Sequence, residues 1–428
     1  MSAPLGRPEF EQRGDTYRYL WRDAAIQVEF DRFTDKTDGI YTEILVAAVN
    51  EGGKPSLLHA SRMNLLSPTA RGNVARALAE RGVKMNWGAA LEQACFLAVQ
   101  RYREGEPTVD LREVDPYERP RWLVKPYVEH GGPTVIFAQG GTGKSMFAAA
   151  IGITAASGKH LTGYLHGPPV PVLYLDWETD RWTHAERLNA LCSGARIKEQ
   201  PPIYYRRMVA PLPESVAVVR REVDRLKIGL VIYDSLGLAC GGELESADTI
   251  IRTFGAIRSI QAPALIVSHV TKSTARGEGN NHRLSPFGSI YTENQARNTW
   301  SLHRSGDEGA DESALALVHE KTNNGRFHKR HAYRMEFVSS GDGEDDALIS
   351  VEIRHADLSE IADFESKLSL KDRIIAALRG GAMTPQAIGA QLGVESNQVR
   401  ARITALRREG AITTLADQRI GLVARQSA

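Results

Sequence analysis

The densest chemical signal in the chain is AQGGTGKS, from Ala138 to Ser145. It follows an apolar run, Thr134 to Ala138, and leads directly into an alanine-rich helical stretch from Met146 to Ala156. Glycines 140, 141 and 143 let the backbone wrap so that successive N–H groups face an anion at the positive end of a helix dipole. Lys144 adds a mobile positive charge, and the Ser145 hydroxyl is of the kind that ligates Mg2+. The residues predicted to hold a nucleotide are therefore Gly140, Gly141, Thr142, Gly143, Lys144, Ser145 and Met146. Ala138 stands where this pattern usually has glycine, but at a strand exit a negative φ suffices.

Phosphoryl chemistry also needs a carboxylate for the metal, a group that handles water, and a group that reports the terminal phosphate. Three further apolar runs end in candidates. The run before Asp234, GLVIYD, places that carboxylate at a strand's carboxyl end, where open α/β sheets bind ligands, so Asp234 is expected to share Mg2+ with Ser145. The run VLYLDWE ends on Asp176 and Glu178. Glu178 lies past the strand, within reach of a γ-phosphate, and is assigned the catalytic base, with Asp176 second. The run ALIVSH places His269 at the same edge as a γ-phosphate sensor.

The elements that must position these groups are legible as texture. Thr134 to Ala138, Val170 to Leu175, Ile228 to Tyr233 and Ala264 to Ser268 are short and lack polar alternation, as strands buried on both faces do, and helical patterns separate them. A parallel α/β sheet is the expectation, extended by strands at Thr299 to His303 and Ala314 to Lys321. Before it, residues 1–115 read as a small α+β domain. Its strands are Tyr17 to Phe30 and Gly39 to Val49; one helix opens at Ser67-Pro68 and runs through Leu78, and a second spans Trp87 to about Arg103. This domain carries no clustered ligands and is expected to serve packing, oligomerisation or partner binding. Glu104 to Arg121 reads as a linker, GDGEDD at Gly341 to Asp346 as a surface turn, and Leu358 to Ser366 as a second linker.

Residues 366–428 have a different pattern. Ser369 and Asp372 resemble a capping box, Thr384-Pro385 opens a short helix, Ser396 opens a third, and Ala411 to Val423 alternates like a two-stranded wing around Asp417. Three helices and a hairpin in that order predict a winged helix-turn-helix. In the third helix Val399, Ile403 and Leu406 share one face. The opposite face presents Asn397, Thr404 and Arg408, flanked by Arg400 and Arg407, which suits DNA contact.

The order of these motifs resembles the RecA-like P-loop ATPases, most closely the RepA-type hexameric replicative helicases of plasmids and phages. The resemblance covers roughly Pro126 to Phe337, inside an ATPase domain taken as residues 116–357. It rests on GGTGKS, on WETD with Arg187-Leu188, on VIYDSL, SHVTKS and FGS with NQARNTW, and on EKTNNG at 320 to 325. It implies ATP and Mg2+ as cofactors and a homo-oligomeric ring, a hexamer foremost, with nucleotide between subunits. It also implies an arginine finger from the neighbouring subunit, assigned to Arg297 with Lys321 and Arg330 behind it. Lys272, Arg276 and Arg283, in a basic, glycine-rich segment after His269, are expected to face single-stranded DNA in the ring's channel. The implied activity is an ATP-hydrolysing DNA helicase or translocase in replication or recombination of a mobile element. A DNA-stimulated ATPase that loads or remodels partner proteins, and a nucleotide-switched DNA-binding regulator, are the alternatives.

Composition sets outer bounds. At 428 residues the chain is long for one core, and an apolar fraction of 42% with 25% charged residues excludes disordered and fibrous classes. Three scattered cysteines fit neither a disulfide framework nor a zinc site. With no signal-peptide pattern at the start and no apolar run long enough to span a bilayer, a cytoplasmic location and no membrane partner are expected. The net charge of +1 excludes a uniformly basic surface. Yet residues 366–428 carry 10 Lys/Arg against 4 Asp/Glu, about +6, while residues 1–115 carry 15 against 17, about −2.

Overall fold

A computed structural model describes residues 6–13, 16–50, 55–105, 108–270, 290–306, 310–328, 330–341, 347–356, 370–379, 381–408, 410–415 and 417–423. Its contacts group into two units: Met1–Pro120 with Ser215–Lys227 and Ser259–Gln261, and Arg121–Glu214 with Ile228–Arg258 and Ala262–Ala428.

The first unit is built on a five-stranded antiparallel meander: β1 (Glu9–Arg13), β2 (Thr16–Trp21), β3 (Ile26–Lys36), β4 (Gly39–Val49) and β5 (Pro55–Asn64). Two helices follow, α1 (Pro68–Ala79) and α2 (Trp87–Glu104). Alternation along β2 buries Tyr17, Tyr19 and Trp21, and the helical stripe Trp87, Leu91, Ala94 and Ala98 packs into the same core. The Ser67 hydroxyl accepts from the Ala70 N–H at 3.2 Å with Pro68 in the first turn, so α1 starts where its sequence signals place it. The expected strand from Tyr17 to Phe30 is instead two strands joined by a turn in which Ala25 takes a φ of 51°. No glycine or proline marks that turn. β1 and β5 were also not foreseen: β1 is a short, charged strand, and β5 is largely exposed, so neither shows an apolar pattern.

The second unit carries the site. In chain order it contains β6 (Trp122–Lys125), β7 (Val128–Glu129), β8 (Thr134–Ala138), α3 (Lys144–Ser157), β9 (Tyr164–Leu165), β10 (Val172–Asp176), α4 (Arg181–Gly194) and β11 (Ile203–Arg207). After α5 (Leu212–Leu226), most of which groups with the first unit, come β12 (Leu230–Asp234), α6 (Leu236–Cys240), α7 (Ala247–Ser259), β13 (Ala264–His269) and α8 (Ile290–Gln295). Then come β14 (Asn298–Ser305), β15 (Glu312–Thr322), β16 (His331–Ser339) and β17 (Leu348–Ala356).

Nine strands form one sheet in the order β11-β10-β12-β13-β8-β14-β15-β16-β17. The first six are parallel and the last three antiparallel. β8, β10 and β12 are buried along their whole length, which is why they read as unbroken apolar runs. α3 packs against them with Phe147, Ile151 and Ile153 in the main core. The expected strands at 299–303 and 314–321 are present as β14 and β15. β11, β16 and β17, which carry polar and charged residues among their apolar ones, were not foreseen.

After these come α9 (Leu370–Arg379), α10 (Pro385–Leu392), α11 (Ser396–Arg408), β18 (Ile412–Thr414) and β19 (Ile420–Leu422), the last two forming an antiparallel hairpin. They enclose a separate apolar cluster that includes Ile374, Ile388, Val399, Ile403, Leu406 and Ile420. The expected linker at 358–366 lies outside the described residues, as does the acidic turn at 341–346 apart from Gly341. Among the described residues no helix is long and apolar enough to cross a membrane.

Candidate active site

Because β8, β10, β12, β13 and β14 run parallel, their carboxyl ends share one edge of the sheet, and a cavity of about 320 Å3 lies there. It is lined by Gly141 to Met146 from the loop and first turn after β8, and by Glu178, Asp234, His269 and Arg304 from beyond or at the ends of the other four strands. Ser313 and Leu315 of β15, Met335 and Phe337 of β16, and Arg187 of α4 complete its wall.

The loop fits a phosphate chain. Gly141 and Gly143 adopt φ of 73° and 93°, a region that other residues enter only with strain, and a Cβ at either would meet nothing within 4 Å. Those glycines serve backbone conformation, and the cradle they shape has room. Gly143 caps α3, so the first N–H groups of that helix point into the cavity's phosphate end. Lys144 is buried, which pushes its ammonium pKa down, while Asp234 and Glu178 act in the opposite sense. Its Nζ donates to the Gln139 carbonyl at 2.7 Å, and the Thr142 hydroxyl donates to the same oxygen at 2.8 Å.

Asp234 is buried, with its carboxyl pKa raised by desolvation against hydrogen bonds from Tyr174 and Ser145 that favour the charged form. The Tyr174 hydroxyl donates to its Oδ2 at 2.6 Å. Ser145 and Asp234 supply hard oxygen donors side by side next to a phosphate cradle, a set that fits Mg2+. Asp234 and Ser145 would hold that ion, which when bound neutralises charge on the transferring phosphoryl.

Glu178 sits across the cavity, half-exposed, its Oε1 accepting from the Ser235 hydroxyl and lying 3.6 Å from His269 Nε2. At that distance the histidine contact is electrostatic rather than a formed hydrogen bond. His269, the Ser235 hydroxyl and the Lys144 ammonium, acting against desolvation, bring the Glu178 carboxyl down to about 2. The carboxylate is thus held in its ionised form, facing the cavity where it can meet water beside a γ-phosphate.

Asp176, the second choice for the base, does not line the cavity. It is buried and turns the chain after β10, accepting from the N–H groups of Glu178 and Thr179 and from the Tyr205 hydroxyl at 2.9 Å. Asp176 thus places Glu178 rather than competing with it.

Arg297 lies at the opposite edge. Its N–H donates to the Pro133 carbonyl just before β8, a strand length of about 17 Å from the loop that follows β8. It cannot reach its own site. Lys321 is held by the carbonyls of Glu293, Asn294 and Ala296 at the end of α8, where it caps a helix. Arg304, not among the residues expected at the site, lies at the carboxyl end of β14, with Nη1 3.3 Å from the Gly141 carbonyl. The rule that singled out Asp234, a polar residue ending a strand, also applied to Arg304. Tyr174 and Ser235 were overlooked too, because nothing in a single sequence tells which neighbour a buried hydroxyl meets.

Lys272, Arg276 and Arg283 lie outside the described residues. Asn397, Arg400 and Arg408 are exposed on α11, with Val399, Ile403 and Leu406 buried on its other side.

The family model described as AAA domain matches residues 100–275, a span that includes the phosphate loop, Glu178, Asp234 and His269. In sequence, no curated protein matches the chain. Among solved structures, a KaiC-like protein from the archaeon Pyrococcus horikoshii is similar at 12% identity, covering 54% of this chain and 93% of that one with a TM-score of 0.37. That likeness is too slight to carry an argument. The AAA match, the phosphate loop and the parallel sheet around it support a RecA-like P-loop ATPase core.

Proposed function

We propose that this protein is a Mg2+-dependent ATPase that couples hydrolysis to movement on DNA, as a helicase or translocase assembled into a ring of identical subunits, with six favoured. The observation that carries the reading is the convergence of Lys144, Ser145, Asp234, Glu178 and His269 on one cavity at the carboxyl edge. Gly140 to Met146 bind the triphosphate; Lys144, on leaving the Gln139 carbonyl, meets the β- and γ-phosphates. Glu178, fixed by Ser235, orients water in line with the γ-phosphate, and His269, in electrostatic contact with that carboxylate, reports whether the phosphate is present. Arg304 adds positive charge from the same subunit. Arg297, at the far edge of its own sheet, acts on a neighbour's nucleotide, which ties hydrolysis to assembly.

DNA contact is assigned to two places: the segment with Lys272, Arg276 and Arg283, for single strands in the channel, and the exposed face of α11. We read the C-terminal helices and hairpin as a winged helix-turn-helix, with Asn397, Arg400 and Arg408 touching backbone or groove. The setting proposed is replication or recombination of a mobile element, in the cytoplasm.

One feature favours a second reading. The α11 face suits duplex DNA, which a loader or nucleotide-switched regulator would grip without unwinding. Strand displacement from a forked duplex, measured beside ATP turnover, separates them. Displacement that requires ATP supports the helicase. DNA-stimulated turnover without displacement favours loading, and nucleotide binding with negligible turnover favours the switch.

A further inference from the structure

Two tyrosine–aspartate pairs repeat across three adjacent parallel strands. In β10, Tyr174 lies opposite Ile232 of β12, and its hydroxyl reaches Asp234 two residues further on. In β11, Tyr205 lies opposite Tyr174, and its hydroxyl reaches Asp176, again two residues further on. The same strand offset produces both bonds, because a phenol is long enough to span to the next strand's end. The ring of His184 fills the space between, 4.4 Å from Tyr174 and 5.2 Å from Tyr205 between centroids.

The two pairs differ in what the carboxylate does. Asp176 spends its oxygens on the turn that carries Glu178. Asp234 faces the cavity beside Ser145. We infer that Tyr174 is a positioning residue for the metal: by anchoring Oδ2 of Asp234 it sets the carboxylate's rotation, so that the ion is held in the orientation Ser145 and the phosphate loop require.

A purely structural role does not account for a hydroxyl here. Tyr174 is buried on a strand whose neighbours are Val172, Leu173 and Leu175, where an apolar side chain is the default. Burying a phenol is costly unless its O–H is bonded, and the partner it has is the carboxylate assigned to the cation. Without that bond the buried carboxylate loses both the contact that fixes its plane and a hydrogen bond that favours its charged form.

This inference rests on the proposed assignment of Asp234 to the metal, and the test separates the two. Mn2+ is titrated against full-length protein saturated with AMP-PNP and followed by the electron paramagnetic resonance of the free ion. AMP-PNP affinity is measured separately in EDTA. Tyr174→Phe should weaken Mn2+ by about tenfold, with metal-free nucleotide affinity and the circular dichroism spectrum unchanged. Tyr205→Phe, which breaks the sister bond, should leave Mn2+ binding at the parental value. Tyr174→Met, also without a hydroxyl, should repeat the loss and serves if the Phe variant folds poorly. Parental Mn2+ binding by the Tyr174 variants, or an equal loss in Tyr205→Phe, overturns the inference. Undiminished Mn2+ binding by Asp234→Asn would instead remove the metal assignment itself.

Discussion

The two edges of the nine-stranded sheet hold similar residue types and put them to opposite use. At the carboxyl edge Lys144, Glu178, Asp234, His269 and Arg304 border one cavity. At the amino edge Lys321 is tied to three carbonyls, and Glu129 is held by Arg121 and by Asn324 at 3.0 Å. There too His319 stacks on Trp300 at 4.3 Å, its Nδ1 accepts from the His328 N–H, and its Nε2 donates to the Asn298 side-chain carbonyl at 3.2 Å. Charge alone does not make a site. Parallel strands end on one edge, where each loop leaves the sheet and its first side chains meet over an open space; at the other edge the chain arrives in helices and hairpins whose carbonyls consume the nearby cations. Glu178 and Glu129 show the contrast: one is half-exposed over a cavity, the other 1% exposed and fully paired.

The largest effect is expected at Lys144. Lys144→Ala should lower ATP turnover by at least about a hundredfold, read as phosphate release; full turnover would remove the carboxyl edge as the reaction site. Next come the two arginines. Arg304→Ala should cost about tenfold or more in turnover, and mixing it with Glu178→Gln subunits should restore nothing, since Arg304 serves its own nucleotide. Arg297→Ala mixed with Glu178→Gln should regain activity, because an intact site then forms between unlike subunits. Rescue of the Arg304 variant, or none for Arg297, reverses the roles of the edges.

Lys321→Met should cost about 1 to 3 kcal/mol of stability, seen as a lower Tm, while the folded variant keeps its turnover. Loss of turnover without loss of stability would make Lys321 a trans-acting cation. The smallest effect is expected at His269. Glu178 has a depressed carboxyl, about 2 against an ordinary 4.5, so what its ionised contacts contribute to stability is present above about pH 4.5 and lost as pH falls through 2. His269→Gln removes the largest cause of that depression. The acid limb of the rate profile should therefore move to higher pH, and an unmoved limb would detach His269 from Glu178.

Much of this site was readable from residue order. AQGGTGKS between an apolar run and an alanine-rich run has few alternatives, and Asp234 and His269 follow from the rule that strand ends carry ligands in a parallel sheet. Glu178 was readable as a carboxylate past a strand, but its rank over Asp176 became decisive only when Asp176 was seen bound to the N–H groups of the turn. Arg297 was chosen by resemblance and lies at the wrong edge for its own nucleotide, while Arg304 satisfied the strand-end rule and was overlooked. The strands missed at β1, β5 and β11 are ones whose exposed or charged residues leave little periodic signal to read.

The phosphate loop, the buried parallel strands and the helical stripes follow from residue order, because each depends on neighbours within a few positions along the chain. Only the packed fold shows which edge each charge joins, that Tyr174 and Ser235 hold Asp234 and Glu178, and that Lys321 caps a helix. Those outcomes depend on strand order and register, which bring together residues 60 positions apart, as Tyr174 and Asp234 are, or 163 apart, as Gly141 and Arg304 are. Local sequence preferences cannot encode that proximity.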